Sequence, residues 1–354
     1  MRLQRVREAL IANELDAFVV TNHFNRYYIS NFSGSSGCVL ITLDNAYLIT
    51  DFRYKEQAPL EVTSGMEIVI QNLDMIEVVV DLLKGSGINR VGFESSDVTY
   101  SSYRSMTKGL SDKKLVPIAG LIEKLRSIKD EYEIEKIERA CAVGDEAFSH
   151  MCDFIEVGMT EKEVSIELET YLLAQGLHTS FATIVASGVR GAMPHATPSD
   201  KLLEVGDYVT LDFGCIKDYY VSDMTRTIAL GVIDAKQKSI YETVLFAQQS
   251  AIEAIKVGVS TKYIDGIARK IIDEAGYSEY FGHGLGHGVG LEVHETPNLS
   301  PRTDDILIEP GMVFSIEPGI YIPNWGGVRI EDLIAITYDT PKILTKSRKE
   351  IIYL

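Results

Sequence analysis

Acidic residues interrupt two pairs of apolar segments that are typical of β-strands, and this pattern constrains the fold more than any other feature of the chain. The first pair is 209–214 and 221–225, and the Lys-Asp dipeptide at 217–218 suits a two-residue turn between them. A hairpin closed by that turn pairs residues whose numbers sum to 435, so that Asp212 faces Asp223. Like charges directly opposed on a sheet, with Cβ atoms roughly 4.5–5.5 Å apart, repel each other. A divalent cation between the two carboxylates is the simplest compensation.

A second pair of acidic residues follows the same pattern. The apolar segments 313–317 and 328–331 flank a loop centred on Asn324, and this spacing places Glu317 opposite Glu331. A proline follows Glu317, and because proline donates no backbone hydrogen bond, an edge or a bulge is expected there. Two hairpins thus offer four carboxylates from apolar strands. This favours one shared metal site over four unrelated surface positions.

Three of the seven histidines fall in the glycine-rich stretch GHGLGHGVGLEVHE: His283, His287 and His294. Its glycines allow the backbone to pass close to a ligand or metal. The stretch contains neither the zinc motif H-E-x-x-H nor a nucleotide-binding glycine pattern, and the chain has no G-x-S-x-G nucleophile motif. His287 and His294 are therefore candidates for metal or substrate binding, whereas His283 suits a structural role equally well. His195 lies in the turn-rich segment GAMPHATPSD, which predicts a loop.

Strand and helix signals alternate through residues 1–125, which predicts an α/β domain with a mostly parallel or mixed sheet covered by helices. A charged helical stretch near residue 125 marks the expected domain boundary. Residues 126–354 predict an α+β domain, because helices flank a block of antiparallel hairpins. The helices are expected at 130–156, 160–175, 238–256 and 261–275, and the β segments at 207–215, 220–230, 287–294, 311–321 and 327–337. Thr160 and Glu163 form a capping-box signature, and no internal repeat of 20–50 residues is expected.

The net charge of −17, from 34 basic and 51 acidic residues, disfavours nucleic acid and anionic membranes as partners, since both require basic surfaces. The four cysteines form no C-x-x-C pair, so buried free thiols are predicted. The N-terminal residues lack the apolar core of a signal peptide, and no apolar run reaches the ~18 residues that span a bilayer. The sequence therefore predicts a cytoplasmic protein.

The ordered motifs LDFG, SDMTRT, GHGLGHGVGLEVHE, FSIEPGIY and GVRIED resemble those of the pita-bread metallopeptidases, which include methionine aminopeptidase, aminopeptidase P, prolidase and creatinase. The resemblance covers about 130–354. FSGSSG and TDFRYKEQA are similar to the N-terminal domain of creatinase and prolidase. The resemblance implies an α/β N-terminal domain, a pita-bread α+β catalytic domain and an Xaa-Pro peptidase that acts on proline-containing peptides. It also implies a homodimer.

The resemblance assigns roles residue by residue. It implies that Asp212 binds one of two metal ions, that Asp223 and Glu331 bridge both, and that His287 and Glu317 complete the second site. Oxygen-rich ligation with one imidazole suits Mn²⁺ and tolerates Co²⁺ or Zn²⁺. Further roles are implied for four residues: Glu317 as proton acceptor and donor, His294 and His195 as contacts of the scissile carbonyl and the tetrahedral intermediate, and Arg329 as an arginine that orients a bridging acid.

Three alternatives stay open at this point. Some prolidases hold the carboxylate of a dipeptide through an arginine after the VHE motif, but here Asn298 stands near that place and Arg302 lies farther on. This departure favours aminopeptidase P-like specificity over strict dipeptidase activity. Some relatives on this fold are metal-free binding proteins, and creatinase is a metal-free amidinohydrolase. The complete acidic set argues against both.

Overall fold

A mixed six-stranded sheet organises the first of the two units into which the chain divides, Met1–Arg126 and Ser127–Leu354. The computed structural model describes residues 2–72, 74–338 and 340–354. The elements of the first unit are α1 (Arg2–Ala12), β1 (Ala17–Val20), α2 (His23–Ser30), β2 (Cys38–Thr42), β3 (Ala46–Thr50), a 3₁₀ helix (Phe52–Tyr54), α3 (Ala58–Glu61), β4 (Glu67–Ile70), α4 (Met75–Leu83), β5 (Arg90–Glu94), α5 (Tyr100–Gly109), β6 (Lys114–Ile118) and α6 (Leu121–Arg126).

The strand order in this sheet is β4-β3-β2-β1-β5-β6. β1 runs antiparallel to β2 and parallel to β5, and β3 runs parallel to β4. All four residues of β1 and all five of β2 are buried, as expected for strands in the middle of a sheet that is covered on both faces. The predicted α/β architecture with a mixed sheet is confirmed.

Helices and antiparallel strands build the second unit, which confirms the predicted α+β class. Its elements are α7 (Glu131–Phe154), α8 (Glu161–Ala174), β7 (His178–Thr179), β8 (Ile184–Ser187), a 3₁₀ helix (Gly188–Ala192), β9 (Tyr208–Phe213), β10 (Cys215–Lys217), β11 (Tyr220–Val221), β12 (Met224–Ala229), α9 (Ala235–Glu253), α10 (Thr261–Glu274), a 3₁₀ helix (Ser278–Tyr280), β13 (Gly286–Gly288), β14 (Glu295–Leu299), β15 (Val313–Ile316), β16 (Gly319–Ile322), β17 (Gly326–Arg329), β18 (Asp332–Thr337) and β19 (Thr340–Ile343).

Helix ends in this unit follow from local sequence. Thr160 accepts a hydrogen bond from the backbone of Glu163, whose carboxylate accepts one in return from the Thr160 N–H, so the predicted capping box is confirmed. Asp130 with Glu133 forms the same arrangement at the start of α7. Because these side chains satisfy backbone donors that a helix leaves without partners, they fix where α7 and α8 begin.

Two apolar cores hold the helices against the sheets. One core joins α7 and α8 to β8, β9 and β12 through residues such as Phe148, Leu168 and Leu211. The other joins α9 and α10 to the strands from β14 to β18 through residues such as Ile272 and Phe314. Each core is associated with its own sheet, β12-β9-β8 in the first case and β14-β13-β15-β18-β19 in the second. The second unit therefore consists of two halves, which we define as residues 130–230 and 234–345.

An internal repeat with a spacing of 100 residues relates these halves, and it is longer than the 20–50-residue repeats that the sequence analysis considered. α8 and α10 both contain 14 residues, and α10 begins 100 residues after α8. Glycines with positive φ stand at matching positions on either side, namely Gly158, Gly176, Gly258 and Gly276. The pattern of buried positions along the two helices is also nearly the same. Because the repeat preserves burial and turn geometry more than residue identity, it is difficult to recognise from letters alone.

The predicted strand 287–294 is also wrong, because the chain reverses direction within it. β13 ends at Gly288 and pairs antiparallel with β14, with a register shift between His287 and Gly288. The carboxylate of Glu295 accepts hydrogen bonds from the backbone N–H groups of Leu291 and Glu292, at 2.8 and 3.1 Å. These contacts stabilise a loop where an apolar, alternating sequence favours a strand.

Candidate metal centre

The first acidic hairpin forms, but with a register different from the predicted one. β9 and β12, like β10 and β11, pair residues whose numbers sum to 437, so Asp212 faces Thr225. The turn falls at Asp218 and Tyr219, with φ values of 52° and 71°, because two consecutive positive φ angles match the twist of a tight hairpin. The predicted turn at 217–218 and the direct opposition of Asp212 to Asp223 are therefore wrong.

Asp223 lies in a break between β11 and β12, where the register places it opposite Gly214. A Cβ atom on Gly214 would lie 1.8 Å from the carbonyl oxygen of Ser222, so only glycine permits this close approach. The close approach of the backbone at Gly214 to Ser222 accompanies the break in strand pairing at which Asp223 lies. Asp212 and Asp223 are both buried and both line one cavity of about 700 Å³, as diagonal rather than opposed neighbours.

The second acidic hairpin has the predicted register. β15 with β18 and β16 with β17 both pair residues whose numbers sum to 648, which places Glu317 opposite Glu331 about a turn at Asn324. Both ladders are interrupted at this level, since residues 317–318 and 330–331 belong to no strand. The interruption coincides with Pro318, as expected for a residue that lacks an N–H. Both glutamates line the same cavity as the aspartates.

His287 enters this acidic cluster from β13. Its Nε2 atom lies 3.2 Å from Glu317 Oε1 and 3.6 Å from Asp223 Oδ2. A Cβ atom on Gly286, the preceding residue, would lie 1.9 Å from the carbonyl oxygen of Ser315, so glycine is required for β13 to approach β15. The sheet thereby brings the imidazole within reach of carboxylates from both hairpins.

The electrostatics of the cluster follow from burial and from mutual repulsion. Burial raises the pKa of Asp223 well above its ordinary value, and the charges of Glu331, Asp212 and Glu317 raise that pKa further. Burial also raises the pKa of Asp212 and of Glu331. The ionised forms of these carboxylates therefore need positive charge nearby.

Glu317 and His287 form an ion pair within this cluster. Burial opposes ionisation of both partners, but the hydrogen bond from His287 lowers the pKa of Glu317 to about 2, and the same bond raises the pKa of His287 to about 9. Metal ligation requires a neutral imidazole, so a bound cation would replace the imidazolium proton as the charge beside Glu317.

The donor set fits divalent cations. Ligand atoms of Asp223, His287 and Glu331 lie within 4.8 Å of one another. Among the residues that the structure describes, the buried oxygens Asp212 Oδ1 and Glu331 Oε1 find no hydrogen-bond partner, which is costly unless a cation coordinates them. Carboxylate oxygens with one imidazole match the preferences of Mn²⁺ and related ions.

Arg329 contacts the first aspartate directly. Its Nη2 donates to Asp212 Oδ2 at 2.5 Å, and its Nε donates to Thr225 Oγ1 at 3.0 Å. Thr225 in turn donates to Glu331 Oε2 at 2.7 Å. Arg329 therefore reaches the expected bridging acid Glu331 through a threonine, whereas its direct contact is Asp212.

The remaining predicted histidines line the same cavity. The ring centroid of His294 lies 4.4 Å from that of His287. Burial lowers the pKa of His294, and the charge of His287 lowers it further, so both effects favour the neutral ring. His195 is exposed at the cavity rim. His283 donates to or accepts from Tyr321 Oη at 2.9 Å and also lines the cavity.

Comparison with known proteins identifies the family. Residues 135–338 match the family model of metallopeptidase family M24, and residues 2–128 match the creatinase/prolidase N-terminal domain. The chain belongs to metallopeptidase family M24. The resemblance to pita-bread peptidases of the Xaa-Pro branch is thereby confirmed.

Similar proteins cover all or nearly all of the chain. An uncharacterized peptidase, YqhT of Bacillus subtilis, is 45% identical and covers 100% of both chains. The structure of a Xaa-Pro dipeptidase from Bacillus anthracis matches with a TM-score of 0.96 and 46% identity, covering 100% of this chain and 99% of the other. The structure of an X-Pro aminopeptidase from Thermotoga maritima matches with a TM-score of 0.90 and 36% identity, covering 98% and 100%.

Sequence reasoning missed two polar residues of this M24 site. Thr225 connects Arg329 to Glu331, and Tyr321 accepts a hydrogen bond from Arg329 Nη1 at 3.0 Å while contacting His283. In the observed hairpin, paired residues have numbers that sum to 437, so Thr225 stands opposite Asp212. The predicted pairing, with a sum of 435, placed Asp223 there instead and so gave no indication of Thr225. Tyr321 belongs to the FSIEPGIY motif, but an apolar alternating strand gives no indication of where its hydroxyl group lies.

Proposed function

We propose that this chain is a dinuclear metal-dependent exopeptidase that hydrolyses the peptide bond between an N-terminal residue and proline. The observation that carries the proposal is the convergence of three buried carboxylates, the partly buried Glu317 and one imidazole on one cavity, with two buried carboxylate oxygens that lack a partner in the described part of the chain. The names of similar proteins, Xaa-Pro dipeptidase and X-Pro aminopeptidase, support the substrate class.

In this proposal Asp212, Asp223, His287, Glu317 and Glu331 would hold two divalent ions, and Asp223 and Glu331 are the two acids that would serve both. The acids supply four negative charges, which two divalent ions balance. Mn²⁺ is the proposed metal, with Co²⁺ or Zn²⁺ as alternatives. When bound, such ions lower the pKa of a water molecule and polarise the scissile carbonyl.

The protein's own groups complete the reaction. Glu317 accepts a proton from the attacking water and later gives it to the departing proline nitrogen. His294 and His195 stand at the cavity wall and donate hydrogen bonds to the oxyanion, a contribution often worth ~3 kcal/mol per donor. Arg329 orients Asp212 directly and Glu331 through Thr225.

The cavity favours peptides that continue beyond proline. Among the described residues that line it, Arg329 is the one lysine or arginine, and its guanidinium is already bonded to Asp212 and Tyr321. Asn298 also lines the cavity, where an amide offers no positive charge to a dipeptide's carboxylate. We therefore propose aminopeptidase P-like specificity, with cleavage of Xaa-Pro dipeptides as the second candidate, supported by the names of relatives in Pyrococcus and Bacillus anthracis.

A substrate panel tests the proposal. Purified protein, stripped of metal and then loaded with Mn²⁺, is offered Ala-Pro, Ala-Pro-Ala and Ala-Ala-Ala, and released alanine is measured. Cleavage of Ala-Pro-Ala but not Ala-Ala-Ala is expected. Cleavage of Ala-Pro alone establishes the dipeptidase instead. Absence of cleavage together with absence of bound divalent metal indicates a metal-free binding protein, and release of urea from creatine indicates an amidinohydrolase.

The proposal extends to organisation and location. Residues 1–125 and 126–354 are proposed as an N-terminal domain and a catalytic domain, and the protein is proposed to act as a homodimer in the cytoplasm. No helix in the described parts of the chain is both long and apolar enough to span a membrane. Light scattering coupled to size-exclusion chromatography tests the dimer, because a mass of 39.3 kDa identifies a monomer.

A further inference from the structure

A buried carboxylate outside the metal centre holds both ends of the segment that carries His195. Glu161, the first residue of α8, is fully buried. Its Oε1 accepts hydrogen bonds from Ser187 N and Oγ at 2.7 and 2.9 Å. Its Oε2 accepts from Arg190 Nε at 2.8 Å and from Ser199 N and Oγ at 3.0 and 2.7 Å. One carboxylate therefore closes a loop of the chain between residues 187 and 199.

The number and type of these donors make the anchor specific. A buried carboxylate is unfavourable unless it is paired and its oxygens are fully hydrogen bonded. Here five donors, one of them a guanidinium, surround Glu161. Arg190 also donates through Nη2 to the carbonyl oxygen of Thr197 at 2.6 Å. The segment is thus bonded to the carboxylate at its start and its end, and to itself through Arg190.

The same segment is bonded to the metal centre at its middle. It begins in β8, where Ile184 is paired with Asp212 of β9. Pro194, the residue before His195, accepts a hydrogen bond from Arg329 Nη1 at 3.4 Å, and Arg329 Nη2 donates to Asp212. The backbone around His195 is therefore fixed between Arg329 on one side and Glu161 on the other, while the His195 side chain remains exposed at the cavity.

We propose that Glu161 is a positioning residue that acts through His195. The inference rests on the proposed function, in which His195 donates a hydrogen bond to the developing oxyanion. Such a donor is effective only when it already stands where the charge develops. A displacement of about 1 Å can cost up to about a hundredfold in rate. Glu161 supplies the rigidity that an exposed histidine on a loop otherwise lacks.

The central test is a double-mutant cycle between Glu161→Gln and His195→Ala. The glutamine keeps the size of the side chain but removes the charge paired with Arg190. With Mn²⁺ and Ala-Pro-Ala as substrate, E161Q is expected to lower kcat between about tenfold and a hundredfold with KM changed less than about twofold. In the H195A background, E161Q is expected to cause no further loss. The matched control is E163Q, which alters an exposed carboxylate on the same helix turn and is expected to leave kcat unchanged.

Hydrogen–deuterium exchange supplies a readout that does not depend on activity. E161Q is expected to accelerate exchange within residues 187–199 and nowhere else in the second unit, whereas E163Q leaves this segment as in the wild type. An equal loss of kcat in both backgrounds overturns the proposal, as does an unchanged kcat or faster exchange throughout the unit. If E161Q does not fold, R190Q provides the same cycle, because the Arg190 side chain is partly exposed.

Failure of this proposal is distinguishable from failure of the proposed function. A wild-type protein that cleaves no Xaa-Pro peptide contradicts the peptidase. In that case the exchange experiment still decides the structural part: localised acceleration in E161Q supports the anchor, and unchanged exchange overturns it.

Discussion

The two halves of the second unit each place a buried acid on their second helix, but the two acids hold different targets. In the first half, Glu161 of α8 bonds directly to Ser187 and Ser199. In the second half, Asp265 lies one turn farther along α10 and accepts a hydrogen bond from Leu285 N at 3.1 Å. Asp265 also pairs with Arg269 at 2.7 Å, and Arg269 donates to the carbonyl oxygens of Phe281 and His283.

The two acids, Glu161 and Asp265, fix segments that lead to histidines in different environments. The segment held by Glu161 leads to His195, which is exposed at the cavity and suited to meet a substrate. The segment held through Asp265 and Arg269 leads into β13, where His287 is packed between strands beside Glu317 and Asp223. A repeated backbone therefore serves two tasks, because a metal ligand benefits from the rigidity of a sheet, whereas a substrate contact must remain accessible.

The largest expected effect tests whether both halves are needed for the metal centre. Asp223→Asn from the first half and Glu331→Gln from the second are each expected to lower kcat/KM by on the order of a thousandfold. This loss exceeds the roughly 10- to 100-fold loss that is typical when a residue that only orients a metal ligand is replaced. Each is also expected to reduce the metal content measured by plasma mass spectrometry after loading with Mn²⁺. Asp218→Asn, in the exposed turn of the same hairpin, is the control. Full metal content in either variant contradicts the shared centre.

The next largest effect concerns a charge network that joins the halves. Asp332 is fully buried and accepts from Arg226 of the first half at 2.7 Å, and from Gln248 and Lys349 at 2.8 and 2.6 Å. Asp332→Asn leaves the buried Arg226 and the partly buried Lys349 without their counter-charge, so the free energy of unfolding at pH 7 is expected to fall by about 3–5 kcal/mol. Urea unfolding followed by the fluorescence of Trp325, the single tryptophan, measures this change.

The same network predicts a pH dependence. Burial opposes ionisation of Asp332, but the charges of Arg226 and Lys349 dominate and lower its pKa. The folded state therefore binds fewer protons than the unfolded state, so the stabilisation is complete above the ordinary pKa of about 3.9 and is lost as pH falls through the lowered value. The difference between wild type and D332N is expected to shrink below about pH 4. Asp200→Asn, which alters an exposed ion pair with Lys162, serves as control. A difference that stays constant to low pH contradicts the assignment.

The sequence predicts the architecture and the five candidate ligands, because apolar periodicity, capping residues and ordered motifs are local signals. The register of the second hairpin follows from spacing alone, since its turn is centred on Asn324 with no irregularity in numbering across the break. The first register does not, because the turn at Asp218 and Tyr219 depends on positive φ angles that neither residue type requires. Glu161 also escapes detection, since a glutamate at the start of a helix is ordinarily an exposed residue that favours the helix dipole.

A smaller effect compares the two acidic anchors. Asp265→Asn removes the charge paired with Arg269 and is expected to lower the free energy of unfolding by about 1–3 kcal/mol, because buried donors lose a charged acceptor. Its effect on metal affinity is expected to exceed that of E161Q, since its segment leads to His287 rather than to His195. Isothermal titration with Mn²⁺ measures the metal affinities of D265N and E161Q. Equal metal affinities in D265N and E161Q would mean that the two anchors do not divide their tasks in this way.

The smallest effect isolates the helix caps that the repeat places 100 residues apart. Thr160 Oγ1 accepts from Glu163 N and Ser260 Oγ accepts from Tyr263 N, both at 3.1 Å. Replacement of either Thr160 or Ser260 by alanine is expected to lower the free energy of unfolding, measured with urea, by about 1 kcal/mol. The two losses are expected to be similar, because the Thr160 hydroxyl also bonds to the carboxylate of Glu163 and the Ser260 hydroxyl also bonds to that of Asp305. Glu163→Ala in the wild-type and T160A backgrounds separates the contribution of the Thr160 hydroxyl from that of the Glu163 carboxylate. A loss for S260A that clearly exceeds the loss for T160A would contradict this equivalence and show that α10 depends on its cap more than α8 does.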